Sequence, residues 1–455
     1  MEIIKTDSRM KWFLCIAFSV FFVEISAQTR VEGEILASPG DHIIIAEHFG
    51  DKINPIDTIP LDEDNCFVYH LHPPREKGLY RLMFSEKRWL DVILGWDNLK
   101  FQCVADAPVE SLEIMASWQN KKLFEFINII DNQNKKVDVL RNFISHYPDD
   151  DKLMKLCKKE AKALHQTRKE FFDDLRKNHP DAFVTSYLTF LFEWPLNMFH
   201  SNNAEVKHEM ISNKDWSNTL LLNSDAYSKT LIDYLMLYGN RNTGREQQIS
   251  LYKQAIDSIF SFIPDHSPVY DYAMLYLMEG FEQFNMEPLV IHMIENYADN
   301  CNRTESKLDN RINYYETFQN GATAPDFITT TLDGEPVNFY EEVSGKTLLV
   351  FWATWCGHCK QLNQSLVEIH PQLEQKNIDV ISVSLDHDPD ELTTYLENTD
   401  LPFEVWCDYQ GWKSDVVDQY YLYATPTMLL LGKDKTIIGK PLNLNQLVYM
   451  INDIQ

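Results

Sequence analysis

The chain has 455 residues, 44% hydrophobic and 13% aromatic, enough apolar material for two or three packed cores. Its 68 acidic against 41 basic side chains give a formal net charge of −27. A surface this acidic repels phosphate backbones and anionic headgroups, which excludes nucleic acid as a partner.

Lys5, Arg9 and Lys11 precede the apolar run WFLCIAFSVFFV, and EISAQ follows with Ala27 placed for cleavage. This is the charged, apolar and small-residue order of a secretory signal over 1–27. At about 1.5 Å per residue the run falls short of ~30 Å of hydrocarbon, so it does not serve as an anchor. Cys15 lacks the small residues a lipoprotein signal places before its cysteine. Export and cleavage near Ala27 are expected. The cysteines that remain are Cys66, Cys103, Cys157, Cys301, Cys356, Cys359 and Cys407, scattered and odd in number, which argues against a disulfide framework.

From 28 to 108, segments such as VEGEIL, HIIIAEHF, CFVYHLH and LYRLMF alternate or run apolar, with SPGD and LDEDN between them. This predicts a β-rich N-terminal domain, sandwich-like and antiparallel. His70 and His72 share a strand face, but a third metal ligand is missing, and they read as ordinary strand residues. From 109 to 319 the apolar period changes to three and four residues, predicting an all-α region. Tyr272 with Tyr276, and Met274 with Met278, form stripes that read as bundle core. NHPD, NRNTG and IPDHSP break the helices.

NGATAPDF opens a third domain over 320–455. A hairpin is expected across Asp333-Gly334, then a buried strand KTLLVFWA, a helix from Cys359, a buried strand DVISVSL, the strands TPTMLLLG and KTIIG, and a helix at 444–454. Strands alternating with helices predict an α/β domain around a buried sheet.

Cys356 falls where the buried strand gives way to the helix. Free N–H groups and partial positive charge at a helix start favour thiolate over thiol, lowering a thiol pKa from ~8.5 into a range of about 3.5–7.5. Cys359, one turn deeper on the same side, is placed to resolve a disulfide. His358 between them stabilises the thiolate when protonated. A zinc site would need two more ligands, and Cys407 and His370 are unpaired candidates; a structural crosslink of so small a loop removes little chain entropy. No metal is expected.

WCGHCK after LLVFWAT, with YATPT downstream, resembles a thioredoxin-fold thiol–disulfide oxidoreductase over about 322–455. APDFITTTLDGEPVNF before the motif and LDHDPDELTTYLENTDLPFEVWCDYQGW after it are similar to the exported TlpA/ResA-like branch of the AhpC/TSA-redoxin family. The whole arrangement resembles the multidomain members of Bacteroidetes. The resemblance implies catalysis by Cys356 and Cys359, with Trp355, Gly357, His358, Thr425 and Pro426 in support. It also implies a cis peptide at Thr425-Pro426 facing the cysteines, with the Thr425 backbone pairing to an extended substrate. Trp352 reads as core. Two positions depart from the pattern: Val350 stands where thioredoxins carry a buried acid, and Leu362 where ResA-like proteins often place glutamate.

The expected function is exchange of the dithiol with protein thiols and disulfides in the periplasm or envelope of a Gram-negative bacterium, as a reductase. No small-molecule cofactor is implied, and electrons come from an upstream dithiol protein, membrane-bound in one version. Alternatives are a disulfide isomerase or oxidase, favoured by Gly357-His358, and an envelope binding protein with an accessory redox domain. A peroxiredoxin-type peroxidase is disfavoured because Thr354 stands two rather than three before Cys356 and the proline is missing. Asp386, Asp388, Asp390 and Glu397 have calcium-loop spacing, but Glu391 replaces the required glycine and Asp-Pro-Asp-Glu is a helix start. Asn302-Arg303-Thr304 and Asn363-Gln364-Ser365 match glycosylation sequons, which carry no meaning in a bacterial host.

Overall fold

The computed structural model describes residues 29–453 apart from 73–74, 147–151, 193–203, 240–241 and 304–305. The expected signal, 1–27, lies outside the described residues. The chain divides into two compact units, residues 29–45 with 56–121, and residues 46–55 with 122–453.

The strand-rich start holds β1 (Thr29–Leu36), β2 (His42–Phe49), β3 (Lys52–Pro60), β4 (Cys66–Leu71), β5 (Gly78–Ser85), β6 (Arg88–Leu94), β7 (Leu99–Val104) and β8 (Glu113–Ala116). They form two four-stranded sheets, ordered β4-β1-β7-β8 and β3-β2-β5-β6. β1 is antiparallel to β4 but parallel to β7, which neighbours it on the other side. Along β1 the residues Thr29, Val31, Gly33 and Ile35 are buried while their neighbours are more exposed, the period-two pattern of a half-covered sheet. On β5 and β6, Arg81 and Asp91 stand opposite each other and pair twice, at 2.7 and 2.8 Å.

The helical part runs α1 (Trp118–His146), α2 (Lys152–Asn178), α3 (Phe183–Phe192), α4 (Ala204–Ser212), α5 (Ala226–Met236), α6 (Arg245–Phe260), α7 (Pro268–Gln283), α8 (Glu287–Tyr297) and α9 (Ser306–Thr317). α7 shows how the sequence sets them. Ser267 caps it by accepting from the Tyr270 N–H at 3.1 Å, and Pro268 supplies a preset φ at the first turn. Met274 and Met278 are fully buried on one face, and Tyr272 stacks on Tyr276 at 5.7 Å.

The last part runs β9 (Ile328–Thr330), β10 (Pro336–Asn338), α10 (Phe339–Glu342), β11 (Lys346–Trp352), α11 (Gly357–Gln375), β12 (Ile378–Ser384), α12 (Pro389–Asn398), β13 (Glu404–Trp406), α13 (Asp415–Gln419), β14 (Thr427–Leu431), β15 (Ile437–Gly439) and α14 (Leu444–Asp453). β9 and β10 form the hairpin, whose turn needs Gly334 at φ 83°. The five-stranded sheet is ordered β13-β12-β11-β14-β15, parallel from β13 to β11 and antiparallel beyond. β11 and β12 are central and buried on both faces, which is why they read as nearly continuous apolar runs. Leu348, Val350, Leu362, Leu366, Leu373, Leu430 and Ile451 form a core between the sheet and helices α11 and α14. Val350 and Leu362, the two positions that depart from the family pattern, are thus packing residues.

Helices α7, α8 and α9 meet this sheet domain through polar groups as well as rings. Tyr423 donates to Glu282 at 3.1 Å, and Arg311 pairs with Glu282 at 3.1 Å and Glu279 at 3.3 Å. The Arg311 guanidinium lies 4.3 Å from the centre of the Tyr423 ring. Asn285 Oδ1 accepts from Asn443 and Gln446, each at 3.0 Å, and Lys440 pairs with Glu287 at 3.3 Å. Phe318 stacks on Tyr420 at 5.2 Å.

Candidate active site

The buried strand β11 ends at Trp352, and the chain turns through Ala353–Cys356 before α11 begins at Gly357. Cys356 is the N-cap of that helix, and its Sγ accepts from the Cys359 N–H at 3.2 Å. Cys356 and Cys359 are joined as a disulfide with Cα atoms 5.2 Å apart. Both are buried, but unequally: Cys356 keeps 9% of its surface and Cys359 none, so only the first offers any surface to an incoming sulfur. The helix start favours a thiolate at Cys356. The Thr425 carbonyl oxygen, 3.5 Å from Cys356 Sγ, acts in the opposite sense, as an acceptor for the thiol.

Thr425-Pro426 is a cis peptide, in the loop just before β14. Trp355 is 46% exposed and its ring lies 6.2 Å from that of Trp412, itself 44% exposed, giving two tryptophans at the rim. Gly357 and His358 are exposed on the first turn of α11, and Trp352 is fully buried. The structure therefore gathers Trp355, Cys356, Gly357, His358 and Cys359 at one strand-to-helix turn and brings Thr425 against it from the neighbouring strand's loop.

Sequence reasoning missed the residues behind this turn. Asp386, only 1% exposed, follows β12 and accepts from the Thr354 N–H at 3.0 and 3.2 Å and from the Thr354 hydroxyl at 2.6 Å. The Ser384 hydroxyl donates to it as well. Its neighbour Asp388 does something else, capping α12 by accepting from the Asp390 and Glu391 N–H groups. The acidic run thus splits into one buried clamp and one helix cap, which spacing alone does not separate. Asn363 and Tyr395 are a second missed pair, with Asn363 Nδ2 3.5 Å from the Tyr395 hydroxyl. Their signal was a polar residue four after Cys359 on an otherwise apolar helix face.

Among the described residues, no three His, Cys, Asp or Glu side chains converge as metal ligands, and the rings of His70 and His72 lie 6.2 Å apart. No described helix is long and apolar enough to cross a membrane.

Residues 320–440 match the AhpC/TSA family. The C-terminal region is similar to this family of thioredoxin-like proteins. The chain is 27% identical over 123 residues to the thiol-disulfide oxidoreductase ResA of Bacillus thuringiensis, 27% of this chain and 69% of that protein. It is 29% identical over 135 residues to the thioredoxin-like protein YneN of Bacillus subtilis, 28% of this chain and 76% of that protein. A solved thiol-disulfide oxidoreductase from Bacteroides fragilis is 26% identical with a TM-score of 0.28, covering 29% of this chain and 99% of its own. The residues matched by the family, 320–440, include Cys356 and Cys359.

Proposed function

We infer that this thiol–disulfide oxidoreductase acts through Cys356 as attacking sulfur and Cys359 as resolving sulfur, reducing disulfides of exported proteins. The observation that carries the reading is the asymmetric pair: a reachable Cys356 at a helix N-cap bonded to a wholly buried Cys359. In the reduced chain the Cys356 thiolate attacks a substrate disulfide. A Cys356–substrate bond forms, the substrate bond breaks, and the leaving sulfur departs as thiolate and takes a proton. The Cys359 thiolate then attacks Cys356 Sγ, closes the disulfide and releases the second substrate thiol. Two electrons pass to the substrate, and an upstream dithiol protein returns them.

Trp355 and the Thr425 backbone are the surfaces offered to the substrate, since they flank Cys356 on two sides. Export to a periplasm or envelope is supported by the order of charged, apolar and small residues over 1–27. We read the strand-rich residues 28–108 as a sandwich-like domain and residues 109–319, helical beyond the strand β8, as the domain that follows it in sequence. The test is trapping. With Cys359→Ser, incubation with a disulfide-bonded protein should leave an adduct that dithiothreitol releases. No adduct, or the same adduct with Cys356→Ser, overturns the reading.

A further inference from the structure

Cys359 must lose a proton before it can resolve a mixed disulfide, since thiolate and not thiol is the nucleophile. It is fully buried, and the apolar residues Val350 and Leu362 pack nearby in the core. Four residues further along α11, on the same helix face, stands Asn363, also fully buried. Side chains so spaced have Cβ atoms about 5–6 Å apart. Asn363 Oδ1 has no hydrogen-bond partner among the described residues, and neither has the buried Trp352 indole nitrogen. Leaving a buried amide oxygen unmatched costs about 1–3 kcal/mol, which calls for a partner in another state of the molecule.

Both residues border Tyr395. Asn363 Nδ2 lies 3.5 Å from its hydroxyl, and the Trp352 and Tyr395 ring centres are 5.4 Å apart. Tyr395 in turn lines an open depression of about 610 Å³ together with Thr354, Trp355 and Lys360. A polar line thus runs from the helix face of Cys359 through Asn363 and Tyr395 to a depression whose lining also includes Asp390, Glu391, Thr394 and Asn398.

We propose that Asn363 is the hydrogen-bond partner of reduced Cys359, and that Tyr395 links it to solvent in the depression. The amide suits both states of the sulfur: its carbonyl accepts from the thiol, and its NH₂ donates to the thiolate. In the resolving step the Cys359 proton passes to water, and the Asn363 amide, held by Tyr395, hydrogen-bonds the sulfur before and after the proton leaves. The sulfur's electron pair forms the bond to Cys356 Sγ, and the substrate sulfur leaves with the electrons of the broken bond. This rests on the redox reading of the pair.

The experiment uses the reduced full chain with Cys15→Ser and Cys66→Ser, which leaves only buried thiols outside the pair, and 5,5′-dithiobis(2-nitrobenzoate), whose coloured thiolate the pair releases twice: once when Cys356 attacks, again when Cys359 resolves. Asn363→Leu, close in volume, should slow the second release about tenfold at neutral pH, as a one-unit rise in the Cys359 pKa requires, and recover as pH rises. The first release should stay within about twofold. Tyr395→Phe removes one hydroxyl only and should slow the second release by about threefold. A second release unchanged in Asn363→Leu overturns the proposal, and so does equal slowing of both releases, which marks general damage. If the wild-type chain gives no second release, it is the redox reading of the pair that fails.

Discussion

Thr354 gives Asp386 both of its hydrogen-bond donors: the N–H at 3.0 and 3.2 Å and the hydroxyl at 2.6 Å. The two residues follow adjacent parallel strands whose last paired residues are Trp352 and Ser384. This clamp fixes the turn that carries Cys356 without touching either sulfur. Asp386→Ala leaves those donors buried and unmatched, so it should lower stability by about 1–3 kcal/mol, read as a shift of the urea midpoint. An unchanged midpoint would show that the turn holds without it.

Arg311 is 9% and Glu282 13% exposed in their side chains, and they meet at 3.1 Å. Burial pushes the Glu282 carboxyl above its usual range, while Arg311 and the Tyr423 hydroxyl pull it back. Arg311→Leu strands that carboxylate and should cost about 3–5 kcal/mol, whereas Tyr423→Phe removes one hydrogen bond and should cost about 1 kcal/mol. Thermal melts of the full chain decide this, and equal losses for the two variants would contradict the network drawn here.

Burial alone pushes the Cys103 thiol up from 9.0 to about 12. Burial, chiefly, takes Cys301 to about 12 and Cys407 to about 11. These raised values mean that the folded chain keeps protons the unfolded chain loses. The associated stability is complete below pH ~9 and falls as pH rises towards about 11–12. At pH 8, iodoacetamide should leave all three unmodified in the native reduced protein while Cys356 reacts. Rapid labelling of any of them would show that its surroundings open.

Leu366 lies at the centre of the core between α11 and the sheet. Leu366→Ala should cost about 2–5 kcal/mol, measured by denaturant unfolding. A loss near zero would mean that the sheet domain does not depend on this contact.

Much of this was legible because local rules and packing agree. β11 and β12 are buried on both faces and read as apolar runs, and Cys356 at a strand-to-helix turn is visible from six letters. β8 was not legible: Glu113–Ala116 is short, lies on the edge of its sheet and gives no alternation to detect. Asp386 was hidden for a different reason. Its role comes from Thr354, 32 positions away in sequence, and only the parallel pairing of β11 with β12 brings them together. The Tyr423–Glu282 contact joins residues 141 apart, beyond any periodicity.

The most direct measurement is the equilibrium of the Cys356–Cys359 pair against glutathione or dithiothreitol, with free thiols trapped at each ratio. A single two-electron transition near about −270 mV or lower, lost in Cys356→Ser and Cys359→Ser alike, is the expected result for a reductase. A midpoint near about −180 mV would contradict the reducing direction, and a pair that never oxidises would contradict the central claim itself.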